Sequence, residues 1–490
     1  MKSVIKNFIY LLGFVFVLSC DDQLDTEPED SVDTGTAFNT INDFRVNATG
    51  MYSGMQPRGY YGRNFPAIGD ASSDNGAIPA GAGARLTSFY TLDLNSVNTA
   101  GLTWNVIYNV IARANNIINN MEGFTGGTEE DRNNIMGEAL FMRALGYHDL
   151  VRLFAQDYGF TSDASHLGVP LVFEVNKDLF PARNTVAEVY EQIMTDLNTA
   201  EGLMTVETVP LADRGTLWSV RALRARVNLY MSDWEAALAD ADAVINSGRF
   251  VLADYSEIDS LTDNAVPPNR FGAIKSWIEV EPNSEAIFEM ESNNVDYRPP
   301  NNGQLELLAS IYVREAGYGD LGPSNDIRSI YTEDDYRQTW FLEDDDTWFV
   351  NKYPGQGDDP LAFTCPILRL SEMYLIKAEC HAELNEDDLA RDAVNMIALR
   401  ANAPGITSSG IQLREDIQEE RRRELAWEGH RYFDLKRRQQ DINREKTPGD
   451  CELTNGNCFI PYGDRLFTYP IPQEELDANA NMRQDDLWGN

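Results

Sequence analysis

Histidine and cysteine are both scarce in this chain, with four and five in 490 residues. That scarcity removes most metal and nucleophile chemistry before any pattern is read. No His-Glu-x-x-His, Gly-x-Ser-x-Gly, P-loop or Gly-x-Gly-x-x-Gly motif occurs. His148, His381 and His430 fall inside helical patterns, where packing or hydrogen bonding accounts for them. Basic residues are few as well. Lysine and arginine number 40 against 78 acidic residues, a net charge of -38, which argues against nucleic-acid binding, because phosphate contact needs a basic surface. The apolar run Phe8 to Leu18 is too short to cross a bilayer. Its 11 residues span roughly 16 Å as a helix, against ~30 Å of hydrocarbon.

That run does have the shape of a signal-peptide core. Lys2 and Lys6 precede it, and Val17-Leu18-Ser19-Cys20 closes it. A small residue before a cysteine at this point resembles the bacterial lipoprotein cleavage box, which implies lipidation at Cys20 after removal of residues 1–19. Val17 departs mildly from the more usual leucine. Residues 20–37 then read as a flexible tether, since Asp21 to Ser31 is acidic and lacks apolar periodicity. An exported chain permits disulfides. Cys451 and Cys458 flank a turn-like segment and are expected to pair. Zinc is disfavoured there, because no further Cys or His stands at ligand spacing.

What is abundant is helical pattern. Apolar residues recur at i, i+3/i+4 spacing in Phe38 to Met55, Trp104 to Met121, Glu129 to Phe154 and Gly215 to Met231. Thr128 caps the third of these. Thr185 to Glu188 and Ser232 to Glu235 read as capping boxes for two more, the second ending near Gly248. The clearest pattern is Arg369 to Ala401, two helices folded back on each other with Asn385 expected to cap the second. It looks like a tetratricopeptide-type hairpin, which needs neighbours to bury its face. Leu413 to Arg438 reads as one last long helix. Its charges, Glu419 to Glu424 with Glu428, Arg431, Asp434 and Lys436, are expected to form i, i+3/i+4 ion pairs along a helix face in preference to an anion site. The expected fold is mainly α: a helical-pair scaffold with a loop-rich lobe containing short strands, one of them over Glu285 to Met290.

The helices divide the chain. Residues 38–249 read as scaffold with a loop insertion at 56–100, residues 250–364 as a loop-rich lobe, 365–438 as further scaffold and 439–490 as a loop-rich tail. Aromatic residues in the Gly- and Pro-rich stretches do not follow helical spacing, and secreted sugar binders use flat rings with nearby polar groups. The expected ligand-binding residues are therefore Tyr60, Tyr61, Phe65, Asp70, Asn75, Tyr90, Trp277, Tyr297, Tyr318, Trp340 and Trp348. No catalytic residue and no cofactor is expected. Acidic runs such as Asp344-Asp345-Asp346 could hold a structural Ca2+ or serve as glycosidase carboxylates. Carboxylates are too plentiful here for either to be a signal.

Several longer motifs carry a family resemblance. They are Cys20 with Leu24 to Pro28, Gly69-Asp70 with Asp74-Asn75, Trp104 to Asn116, Gly137 to Phe154, Arg214 to Leu238, Arg369 to Cys380, Glu420 to Arg437 and Tyr469 to Glu475. In this order they resemble the SusD/RagB family of outer-membrane nutrient-binding lipoproteins. The resemblance implies about four tetratricopeptide-like helix pairs, no catalysis, and a lipid-anchored protein facing the cell exterior. It also implies capture of oligosaccharide or polysaccharide for a SusC-like TonB-dependent transporter, with peptide-binding import on the same scaffold and, further off, a surface glycoside hydrolase as alternatives.

Overall fold

The structure, a computed structural model, describes residues 37–176, 178–205, 212–255, 285–290, 308–312, 317–353, 364–451 and 453–489. The signal segment, Cys20, Trp277 and Tyr297 lie outside the described residues. Helix α1 (Ile41–Ser53) starts at Thr40, whose hydroxyl accepts the Asp43 N–H while the Asp43 carboxylate accepts the Thr40 N–H. Then come α2 (Asn64–Ala71), strand β1 (Gly76–Ala77) and α3 (Thr87–Thr91). The long pair α4 (Gly101–Met121) and α5 (Glu129–Phe154) follows, the latter capped by Thr128. Helix α6 (Val186–Leu203) opens on the Thr185–Glu188 capping box and is followed by α7 (Leu217–Tyr230) and α8 (Trp234–Ile245).

Each helix from α4 to α8 packs on the next, and α1 lies on α4 and α5. Burial of apolar side chains on both faces makes this one continuous core. A polar clasp runs through it. Arg143 of α5 donates to both carboxylate oxygens of Asp196 on α6, at 2.8 and 2.7 Å, and to Asn115 of α4 at 2.9 Å. Buried charges of this kind persist only when fully paired.

The second half begins with β2 (Ala286–Met290), α9 (Leu308–Tyr312), β3 (Gly322–Pro323) and α10 (Asn325–Ser329). Next are the hairpin β4 (Phe341–Asp344) and β5 (Thr347–Val350), and then β6 (Cys365–Arg369), which pairs antiparallel with β2. Helices α11 (Leu370–Glu383) and α12 (Asp387–Ala398) form the expected hairpin, and α11 packs against α8, joining the two halves. Helices α13 (Gly410–Glu424) and α14 (Arg431–Arg437), the small pair β7 (Ile442–Asn443) with β8 (Phe459–Ile460), and α15 (Gln473–Ala478) complete the chain.

Four local expectations are corrected. Asn385 does not cap α12; it takes the left-handed conformation, φ 63°, that turns the chain after α11, and Glu386 is the cap residue. Ser232 is likewise left-handed, φ 59°, and Asp233 caps α8. Residues 56–100 are not all loop, because they hold α2 and α3, and α2 is buried throughout. Leu413 to Arg438 is two helices, not one. The chain breaks after Glu424, with Trp427 at φ 70° and Gly429 at φ 80°. Asp70 holds the break by accepting the Trp427 and Gly429 N–H groups at 3.2 and 3.0 Å.

The charge cluster forms the expected pairs at Glu419–Arg423, Glu420–Arg423 and Asp434–Arg437, but most of it is interior and also pairs across elements. Arg337, with no exposed surface, donates to Asp335, Glu420 and Glu424 at 2.8, 2.7 and 3.0 Å. Arg369 reaches Glu424 and Glu428 at 2.8 Å and Glu285 at 3.1 Å, and Lys352 reaches Glu428 at 2.6 Å. Burial alone would raise the Glu424 carboxyl, but Arg400, Arg369 and Arg337 together hold it well below the usual carboxylate range. Only Glu419 and its partner Arg423 keep the character of a surface helix pair.

Candidate ligand-binding surface

Most of the aromatic residues expected to meet ligand are core residues. Tyr60 and Tyr61 are buried, and both hydroxyls donate to Asp149 Oδ2, at 2.6 and 2.9 Å. Phe65 stacks on Phe433 with ring centroids 5.5 Å apart. Asp70 caps the helix break, and Asn75 accepts from Arg422 Nε at 2.8 Å. Tyr90 donates to the Asp450 carbonyl at 2.9 Å and lies under the Arg444 guanidinium. Trp340 is fully buried beside Tyr255, with Lys352 Nζ 3.9 Å from its ring centroid. These seven residues offer no free face to solvent, so the reading of them as ligand contacts is corrected. Composition marks a segment as irregular; it does not say on which side of the surface its rings fall.

Tyr318 and Trp348 are the two remaining described candidates, and both are partly exposed. The fold brings them together. Strands β1 and β3 pair Gly76 with Pro323 and Ala77 with Gly322, which ties the 76–86 loop to the 317–323 loop. On the other side of this ribbon sits β5, so close that a Cβ on Gly322 would lie 2.4 Å from the Trp348 carbonyl oxygen. Buried Asp320 accepts the Gly83 N–H at 2.6 Å and an Arg85 N–H at 2.8 Å. That holds the Arg85 guanidinium over Tyr318, 3.4 Å from the ring centroid. Arg328, on α10, lies over Trp348 in the same way, 4.1 Å from the ring centroid.

Two guanidinium-on-ring stacks thus flank one short ribbon, built from three separate stretches of chain. Rings and oriented N–H donors side by side suit a hydroxylated ligand with apolar C–H faces. Arg85, Asp320 and Arg328 were not singled out in the sequence, because an isolated charged residue carries no periodic signal. The one available hint was an arginine closing the Gly81 to Ala84 run of small residues.

Among the described residues, no group of three or more His, Cys, Asp or Glu side chains is placed to hold a metal ion, and no helix is long and apolar enough to cross a membrane. Cys451 and Cys458 form a disulfide, while Cys365 and Cys380 are buried thiols.

Comparison with known proteins agrees with this architecture. Residues 349–488 match the model of the SusD family, and residues 22–229 match a model described as starch-binding, associating with outer membrane. The SusD-like protein P25 of Formosa agariphila is 26% identical, with 99% of each chain covered. A SusD-like protein of Bacteroides ovatus is 23% identical, over 89% of this chain and 83% of its own. Among solved structures, a putative sugar binding protein from Bacteroides vulgatus superposes with a TM-score of 0.80 at 26% identity, covering 92% of this chain and 99% of that one. A SusD superfamily protein from Bacteroides thetaiotaomicron gives 0.79 at 28% identity, with 91% and 99% covered. With two family models spanning both ends of the chain and relatives matching along nearly all of it, the chain belongs to the SusD/RagB family.

Proposed function

We propose that this protein is a surface lipoprotein of the outer membrane that binds oligosaccharide or polysaccharide and passes it to a SusC-like TonB-dependent transporter. It is not an enzyme; SusD-family proteins bind carbohydrate without catalysis. The observation that carries the reading is the match of residues 22–229 to the starch-binding, outer-membrane-associating model. The ribbon that joins the Tyr318 and Trp348 stacks supplies a surface of suitable chemistry. The helical stretches 38–249 and 365–438 serve as its frame, and lipidation at Cys20 as its anchor, in which one acyl chain holds marginally and two hold stably.

Isothermal titration of the protein against plant, host and microbial oligosaccharides tests the binding half. Saturable heat with at least one glycan is expected. Silence across the panel with binding of peptides instead would overturn it. Co-purification with a transporter encoded beside it tests the delivery half.

A further inference from the structure

Arg328 is unusual in its surroundings. Nearby Arg422 pairs with Asp326 at 2.7 Å, and Arg85 pairs with Asp320 at 2.8 Å. The Arg328 guanidinium donates to the Asn325 side-chain oxygen but has no carboxylate oxygen within 4.0 Å among the described residues. Its Nε is buried and lacks a hydrogen-bond acceptor among the described residues. Burial lowers its affinity for the proton, and the acidic groups that act against this are Asp450 and Glu343. Both Asp450 carboxylate oxygens are already taken, by the Asn325 and Asp326 N–H groups at 2.7 and 2.9 Å. Glu343 is exposed on the β4 strand.

In a chain with 78 acidic residues against 40 basic ones, a partly exposed guanidinium with no carboxylate partner among the described residues is held in that state by its setting. The Trp348 ring fixes its plane, and a planar fork fixed in this way is a ready receptor for a two-oxygen anion. The ring face that would otherwise receive a sugar is covered by the same guanidinium. Recognition at this end of the surface therefore moves from stacking to charge-assisted hydrogen bonding. The net charge of -38 does not forbid this, because exposed charges beyond ~8–10 Å are largely screened at physiological salt.

Resting on the glycan-binding reading above, we propose that the ligand is an acidic saccharide whose oxyanion, a uronate carboxylate or a sulfate ester, docks on Arg328 beside Trp348.

Titration of the full chain with two matched pairs tests this: oligogalacturonate against its methyl ester, and a sulfated galactan oligosaccharide against its desulfated form. The acidic member of one pair is expected to bind at least tenfold more tightly, and which pair responds separates carboxylate from sulfate. Arg328→Met is expected to abolish that preference, and Arg328→Lys to restore part of it. Melting curves report whether each variant is folded, and Arg328→Lys carries the test should Arg328→Met fail to fold. Equal affinity for acidic and neutral members, or a preference that survives the substitutions, overturns the inference and leaves glycan binding standing. Absence of binding by every saccharide overturns both.

Discussion

Asp70 and Gly429 meet across 359 positions of sequence: the Asp70 Oδ2 accepts the Gly429 N–H at 3.0 Å. Beside that bond the backbones are almost in contact. A Cβ on Gly69 would lie 2.1 Å from the Gly429 carbonyl oxygen, and one on Gly429, itself at φ 80°, would lie 2.6 Å from Pro66 Cα. Neither atom can swing aside as a flexible side chain would. Gly69→Ala and Gly429→Ala are each expected to lower stability by at least ~2 kcal/mol, read as the shift in urea midpoint. A midpoint unchanged in both would disprove this close approach.

Two glutamates of α13, Glu419 and Glu424, should behave differently. Glu424 is buried and serves Arg337, Arg369 and Arg400, and it also accepts the Tyr255 hydroxyl at 2.7 Å. Glu424→Gln leaves buried cations without a counter-charge, and a loss of about 3–5 kcal/mol is expected. Glu419, half exposed, pairs with Arg423 at the rim, so Glu419→Gln should cost less than ~1 kcal/mol. Chemical denaturation of the two variants side by side checks the contrast.

Trp340 and Trp348 separate stability from binding in the same manner. Trp340→Ala removes a fully buried ring and should cost about 3–5 kcal/mol of stability with little change in ligand affinity. Trp348→Ala should leave the melting temperature nearly intact and weaken binding by ~1–3 kcal/mol. The reverse pattern in calorimetry would remove Trp348 from the site.

The stability profile should fall on the acid side. Burial lowers His430 from 6.5 to about 3 and pushes His148 below its ordinary value. Between about 3 and 6.5 the unfolded chain binds a proton at His430 that the folded chain does not, so stability declines as pH drops below 6.5. Asp70 acts oppositely: burial raises it from 3.8 to about 6, so its contribution is fullest below 3.8 and is lost as pH rises through 6. Glu372 and Glu379 resist the pull of burial because Arg226 and Arg437 hold them at about 2, and their contribution, present above 4.5, is lost on further acidification. The melting temperature should therefore decline from neutral pH downward, and His430→Gln should flatten the upper part of that decline. A profile flat from pH 7 to 4 would contradict this.

The Cys451–Cys458 disulfide closes a loop of sequence separation 7 and holds Asp450, whose carboxylate caps the N-terminus of α10. Replacing both cysteines with serine should cost roughly 2–3 kcal/mol, seen as a lower melting temperature that no longer responds to reductant.

Helices whose instructions are local were legible in the sequence. Thr128 and the Thr185–Glu188 box start helices where capping chemistry places them, and the strand over residues 286–290 forms. The break between α13 and α14 was not legible, because Asp70, which holds it, lies more than 350 positions earlier. The ligand surface was legible only in part, for a related reason. Tyr60 and Tyr318 both sit among glycines and polar residues, yet one is sealed against Asp149 and the other is half open beneath Arg85. Only long-range packing tells them apart.

The pairing of residues 70–75 with residues 422–444 also sets an order of events. Asp70 needs Trp427 and Gly429, Asp74 needs Arg431, Asn75 needs Arg422, and the Ser73 carbonyl needs Arg444. A chain emerging from its N-terminus must hold residues 70–75 without these partners until nearly all of it has appeared. Loop closure over that length is slow, and hydrophobic surface stays exposed meanwhile. Chains truncated before residue 420 should thus aggregate instead of leaving a folded N-terminal half, which makes completion of synthesis a checkpoint for the whole molecule.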